Sequence, residues 1–229
     1  MTATRAPHDD VRSATVAAAT RLFAAHGFEG TALQSIADAV GVSKPAVLHH
    51  YPSKEHIRQA VLGSILEHWN RVLPRLLVAA TATDDRFEAV FGELVRFFAA
   101  DPDLARIMVR EALDRPAELH TMLSRTVRPW LGAVADYVNA GRDRGRHHDD
   151  VDAEAYVLHV MLLVVNATAC SAATSPVLAQ DAAGRYWREL ARIARSSLFV
   201  ASAAASRAKP RRTSARGARS RRSPRGSAG

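Results

Sequence analysis

Residues 31–55 read TALQSIADAVGVSKPAVLHHYPSKE, and the capping residues, the glycine and the two prolines divide this stretch into two short helices around a tight turn. Thr31 and Gln34 stand at capping-box spacing, which predicts a helix starting at Ala32 and running through Ile36 to Val40. Gly41 ends it. Ser43 is a good N-cap for the next helix, and Pro45 lies in that helix's first turn, where a missing amide hydrogen does no harm. Pro52 closes the second helix.

Upstream, Val11, Ala14, Ala18 and Leu22 form one stripe of a helix that Gly27 stops, and the connector Phe28 to Gly30 follows. Downstream, Ser53 caps a longer helix through Leu66 and Trp69, with Pro74 forcing a kink or an end. Phe87, Val90, Phe91, Leu94 and Phe98 make an amphipathic helix that Pro102 terminates, and Leu104, Ile107 and Met108 begin another. From Pro116 one long pattern through Leu119, Leu123, Val127, Trp130, Leu131, Val134 and Val138 is expected to bend at Pro129 and fade into a loop at residues 141–150. Two more helices, about 152–173 and 180–204, complete the ordered chain. No run of alternating β-branched and polar residues suggests a sheet, so the fold class is all-α.

The formal charge is +8, but residues 206–229 carry nine Lys and Arg and no acid, leaving the rest of the chain at −1. The basic balance therefore describes a tail, and any nucleic-acid reading must rest on local residues. Rich in Ser, Arg, Gly and Pro, that tail lacks the apolar residues that offset ordering entropy, so disorder is expected. Cys170 is the one cysteine and has no intrachain partner, and the first ten residues hold no apolar signal segment. A reducing cytoplasm is the expected compartment. The most apolar run, Val157 to Val165, is shorter than the roughly 20 residues that span a bilayer, so no membrane partner is expected.

Residues 32–51 give helix, turn and helix, the arrangement that places a recognition helix in the major groove. At about 100° per residue, Val47 and Tyr51 share an inner face flanked by Lys44 and His50, while Pro45, Ala46, Leu48 and His49 point outward. Spacing alone does not separate this from an ordinary helical hairpin. The wider stretch AAATRLFAAHGFEGTALQSIADAVGVSKPAVLHHYPSKEHI resembles the N-terminal domain of the TetR family of bacterial repressors. The elements that carry the resemblance are Phe28-x-Gly30-Thr31, Ile36-Ala37 followed by Gly41-Val42-Ser43, and the closing His50-Tyr51-Pro52-Ser53-Lys54-Glu55. It covers about the first 58 residues.

The resemblance implies a helix-turn-helix DNA-binding domain at 1–58 and an effector-binding and dimerisation domain at 59–204, and composition sets the basic tail at 205–229 apart. It makes Gln34, Lys44, Pro45, Ala46, Leu48, His49 and His50 the DNA-facing set, with Thr31 and Lys54 holding phosphates from the ends of neighbouring helices. It further implies a homodimer on palindromic double-stranded operator DNA, and a repressor released by a small-molecule effector. Position 48 is usually an aromatic hydroxyl in this family. Leu48 donates no hydrogen bond and is suited instead to a thymine methyl, while Gln34 is the one amide placed to read adenine.

Val157 to Val165 is apolar all the way round apart from His159, so it should be buried on several sides, one of them against a second copy. His159, Asn166 and Cys170 align as a polar row on this helix. Phe98, Met108, Trp130, His159 and Asn166 are the candidate pocket residues, and their character points to a mainly apolar ligand. His147, His148, Asp149 and Asp150 read as a solvated loop in preference to a metal cluster, because adjacent ligands rarely converge on one ion. Arg110-Glu111 reads as a surface or helix-end ion pair in preference to a catalytic one. No metal, cofactor or catalytic constellation is expected, so the chain is not read as an enzyme. The rival readings are an architectural DNA protein without sequence preference and a helical enzyme whose site is not legible.

Overall fold

The computed structural model describes residues 7–82, 86–178 and 182–200, and the expectations for the basic tail lie outside them. Ten α-helices fill the described residues: α1 (Pro7–His26), α2 (Leu33–Val40), α3 (Lys44–His50), α4 (Lys54–Ala82), α5 (Arg86–Ala100), α6 (Pro102–Asp114), α7 (Pro116–Thr126), α8 (Arg128–Asp143), α9 (Ala153–Thr174) and α10 (Ala182–Ser196). The all-α expectation holds, and the β-pairing among the described residues is an isolated bridge between His147 and Phe199.

Boundaries at the two ends of the recognition unit follow local chemistry. Gly41 takes a left-handed φ of 77° at the end of α2, a conformation open to glycine at no steric cost, and its N–H reaches the carbonyls of Ala37 and Asp38. The hydroxyl of Ser43 accepts from the Ala46 N–H at 3.3 Å, so Ser43 caps α3 as expected. The capping box is not formed. Helix α2 starts one residue later, at Leu33, with Ala32 at the N-cap and no side-chain bond there. Thr31 points the other way, its buried hydroxyl donating to the Gly27 carbonyl at 2.7 Å and closing the end of α1.

Further along, α4 continues through Pro74 where an end was one of the two expectations. The single long pattern from Pro116 is two helices, α7 and α8, that break at Val127. Pro129 has no N–H for the Arg125 carbonyl and its ring crowds that carbonyl, so the sequence stops and restarts instead of bending. Helix α8 runs on through Gly141, and α10 ends at Ser196, short of the expected 204.

Two apolar clusters result. The smaller joins Ala18, Ala19 and Phe23 of α1, Ile36 and Ala37 of α2, Val47 of α3, Ile57, Val61 and Ile65 of α4, and Leu104 and Ile107 of α6. The larger joins α4, α5, α6, α8, α9 and α10 around Trp69, Phe91, Phe98, Trp130, Leu131 and Val164. A boundary at residue 58 thus falls inside the continuous α4, and α4 and α6 belong to both clusters. Residues 153–177 are apolar and long enough to cross a membrane by length and composition, a property shared by core helices of soluble proteins. Here α9 packs on α5, α6 and α8.

Candidate functional site

Helix α3 presents a surface because its other side is pinned. Val47 is fully buried and Tyr51 nearly so, and burying a side chain like Val47 is worth roughly 1.5–3 kcal/mol. With those two inward, Lys44, Pro45 and His49 are exposed and Ala46, Leu48 and His50 are half-buried on the flanks. The imidazoles of His49 and His50 meet edge-on at 5.5 Å. Gln34 is exposed on the neighbouring α2, where its amide donates to Asp38 at 2.7 Å and is held in orientation. Gln34, Lys44, Pro45, Ala46, Leu48, His49 and His50 are therefore all at least partly exposed on α2 and α3, two helices that pack against each other.

Thr31 and Lys54 are placed differently. The Thr31 hydroxyl is committed to the carbonyls of Gly27 and Leu22. The ammonium of Lys54 donates to the carbonyls of Phe28 and Thr31 at 2.8 and 3.1 Å and lies 4.3 Å from the Phe28 ring centroid. Thr31 ties the connector between α1 and α2 to the end of α1, and Lys54 ties it to the start of α4. Through them the turn that orients the recognition pair is fixed to the helix leading into the rest of the protein.

That joint carries a charge network the sequence reading missed. Arg58 of α4, only 3% exposed at its side chain, bonds Glu55 at 2.8 Å and also holds Glu111 of α6 and Glu118 of α7. Burial disfavours charge on Arg58, yet its bonds to Glu118 and Glu55 and the field of Glu111 hold its pKa above the ordinary value. Burial pushes the Glu111 carboxyl up, against the pull of Arg58 and Arg115. Arg115, between α6 and α7, lies 4.4 Å from the Phe28 ring centroid and pairs with Glu29 and Glu55 at 3.5 and 3.8 Å. Arg110 and Glu111 do not form the expected surface pair: Arg110 donates to the Ala24 and Ala25 carbonyls at the end of α1, and Glu111 is buried against Arg58. Partners 53 and 60 residues apart leave no periodic signal.

Above this joint a cavity of about 530 Å³ lies between α4, α5, α6, α7, α8 and α9. Its walls are mostly aliphatic and aromatic, including Trp69, Phe97, Phe98, Met108, Leu131 and Met161, with His120, Ser124, Thr126, Arg128 and Asn166 as polar points. Of the pocket residues expected from sequence, Phe98, Met108 and Asn166 line it. Trp130 lines an adjoining void of about 60 Å³, and His159 is exposed on α9 and lines neither. Of the polar row on α9, His159, Asn166 and Cys170 are all exposed in the single chain, and Asn166 donates to the Leu162 carbonyl in its own helix. Leu158, Leu162 and Leu163 of the apolar run are 41%, 53% and 42% exposed in the single chain, which leaves open the side where a second copy was expected. The buried indole N–H groups of Trp69 and Trp130 have no hydrogen-bond partner, and their rings meet edge-on at 5.8 Å.

Among the described residues no three His, Cys, Asp or Glu side chains gather as a metal requires. His147 is not the solvated residue expected. It is buried, with Nδ1 at 2.8 Å from the Val138 carbonyl and its ring edge-on to Phe199 at 4.8 Å. Its ring fills the space where a side chain at Gly141 would stand.

Residues 16–61 match the family described as bacterial regulatory proteins, tetR family. The chain is 45% identical over 58 residues to the transcriptional regulator RutR of Escherichia coli, a match covering 25% of this chain and 27% of that protein. It is 25% identical over 150 residues to the transcriptional regulator EthR of Mycolicibacterium smegmatis, covering 63% and 67%. The chain thus spans only about a quarter of the length of the RutR relatives it matches. A solved tetR-family regulatory protein from Rhodococcus superposes with a TM-score of 0.66 at 24% identity, over 84% of this chain and 98% of that one. The motif match covers the helices that present the candidate DNA face, so residues 16–61 are similar to the tetR family of bacterial regulatory proteins, and the helices beyond them share the fold of the solved Rhodococcus protein.

Proposed function

We propose that the protein is a cytoplasmic, sequence-specific transcription regulator, a repressor that grips a palindromic operator as a homodimer and is released by a small, mainly apolar ligand. The observation that carries this reading is the two-sided α3: Val47 locks one face into the core while Lys44, Pro45 and His49 are exposed on the other. A rigidly held short helix with an exposed face is what major-groove reading needs. Gln34, Lys44, Pro45, Ala46, Leu48, His49 and His50 form the contact set. Thr31 and Lys54 serve it by holding the connector; the Thr31 hydroxyl reaches a phosphate only by exchanging its present bonds, whereas Lys54 keeps a third N–H.

The effector occupies the cavity lined by Phe98, Met108 and Asn166. Helices α6 and α7 supply part of its wall and also hold Arg58 through Glu111 and Glu118. A ligand that favours another spacing of α6 and α7 shifts Arg58 and with it the start of α4, so the two recognition helices of a dimer no longer meet successive major grooves. The chain acts in this reading by binding, with no reaction of its own. Release of a chemically altered ligand after incubation with the protein would contradict that.

Selection of operators from random DNA, followed by titration of His49→Ala and Gln34→Ala, tests the function. Each variant is expected to lose about 1–3 kcal/mol on the selected operator and much less on random DNA. A selection that returns no preferred sequence favours the architectural reading.

A further inference from the structure

The polar points of the large cavity are not scattered over its walls. His120 and Ser124 stand four residues apart on one face of α7, and Arg128, four further on, opens α8 beyond the break at Val127. All three are exposed while lining the cavity, so the α7–α8 side is a mouth that meets water. Across from them α4 and α5 contribute the apolar surfaces of Trp69, Phe97 and Phe98. Asn166, the polar point on α9, spends an amide N–H on the Leu162 carbonyl of its own helix. Among the described lining residues Arg128 alone carries a permanent charge, and no Asp or Glu accompanies it. Helix α8 reinforces that charge. Val127 at its N-cap supplies no side-chain hydrogen bond to the first turn, so the positive end of the helix is left uncapped beside Arg128.

We infer that the ligand of this cavity is an amphipathic monoanion, its carboxylate held at the mouth by Arg128 with His120 and Ser124, its apolar body reaching toward Trp69 and Phe98. This rests on the reading of the cavity as the effector site and names the chemical class of the effector. The planar guanidinium of Arg128 matches a carboxylate with two parallel N–H···O bonds, and a ring N–H of His120 and the hydroxyl of Ser124 are further donors. A cationic ligand would meet Arg128 with no carboxylate of the lining to offset the repulsion. A ligand without a charge would leave the donors of the mouth to water. The volume of about 530 Å³ is that of an ordinary small-molecule site and admits either a chain or a ring system as the body.

The test is calorimetric titration of the full chain with decanoate, 1-decanol and decylamine, which share one apolar body and differ in the head. Decanoate is expected to bind about tenfold more tightly than decanol, and decylamine the most weakly. Octanoate, two methylenes shorter, should bind about fifteenfold more weakly than decanoate if the body is buried. Arg128→Gln should remove about tenfold of the decanoate affinity and leave that for decanol unchanged. Arg128→Lys, which keeps the charge and loses the fork, should recover part of the loss. If either variant fails to fold, the series of heads on the unaltered chain decides alone. Comparison of 1-naphthoate with decanoate separates ring acids from chain acids, and either order supports the carboxylate. Equal affinities for decanoate and decanol, or a loss on Arg128→Gln that strikes both alike, overturn the inference and leave the cavity as an apolar effector site. Failure of every probe to bind, or binding unchanged by Ala112→Trp in the cavity wall, overturns the effector reading and the inference with it.

Discussion

The two apolar clusters of this protein are built to opposite ends. Around Val47, Ile36 and Ile57 the small cluster buries its side chains completely, Thr31, Gly41 and Ser43 fix helix ends beside it, and the side chains of α2 and α3 left outside form the candidate recognition face. Around Trp69, Phe98 and Trp130 the larger cluster stops short of closure, leaving about 530 Å³ open and two indole N–H groups without partners. A surface that reads DNA has to be rigid, whereas a wall that accepts a ligand has to leave space and forgo packing. The two are joined by the shared helices α4 and α6, with Met108 packed on both clusters, and by a polar network of Arg58 and Arg115 held by carboxylates from the α1–α2 connector, α4, α6 and α7.

The strongest way to break this comparison is at the joint. Arg58→Met leaves Glu111 buried without its guanidinium, and removing one partner of a buried pair costs about 3–5 kcal/mol. Glu118 is 60% exposed and adds little by itself. Urea denaturation followed by both far-ultraviolet circular dichroism and tryptophan fluorescence should show this loss with the two signals falling together. Separated transitions would mean that the clusters fold independently and that the network does not couple them.

Next in size is Gly141→Ala. A β-carbon there would stand 2.0–2.6 Å from ring atoms of His147, and overpacking of this kind costs about 1–3 kcal/mol. The loss should appear in thermal melting with operator affinity per folded molecule unchanged, because the contact belongs to the larger cluster alone. Ser43→Ala sharpens the other side of the comparison. Losing this N-cap should cost about 1 kcal/mol, and here operator affinity should fall with stability, since α3 is both frayed and misdirected. An operator affinity that holds at its original value would show that Ser43 does not set the reading face.

The smallest effect is a pH dependence of the larger cluster. Burial lowers the His147 pKa against the support of the Val138 carbonyl, with the charge of Arg146 acting in the same direction as burial. The unfolded chain therefore takes up this proton first as pH falls. The contribution to stability is fully present above about pH 6.5 and is lost progressively below it. His147→Gln should flatten the stability profile between pH 7 and 5, and a profile identical to that of the unaltered chain would remove His147 as its source.

The sequence by itself determined the all-α class, the helix-turn-helix at residues 32–51 and the inward set of Val47 and Tyr51. Those features depend on caps, glycines, prolines and a 3.6-residue period, all of which act within a few residues. Only the tertiary structure decided that Thr31 closes α1 instead of capping α2, that Glu111 turns inward to Arg58, that His147 packs into Gly141, and that Leu162 lines a cavity while remaining exposed. Each of these is set by what another helix, distant in the chain, brings alongside. A threonine three residues before a glutamine is compatible with either helix end, and a carboxylate beside an arginine in sequence says nothing about the arginine it meets 53 residues away. Local rules choose an element, and packing chooses which of its sides is used.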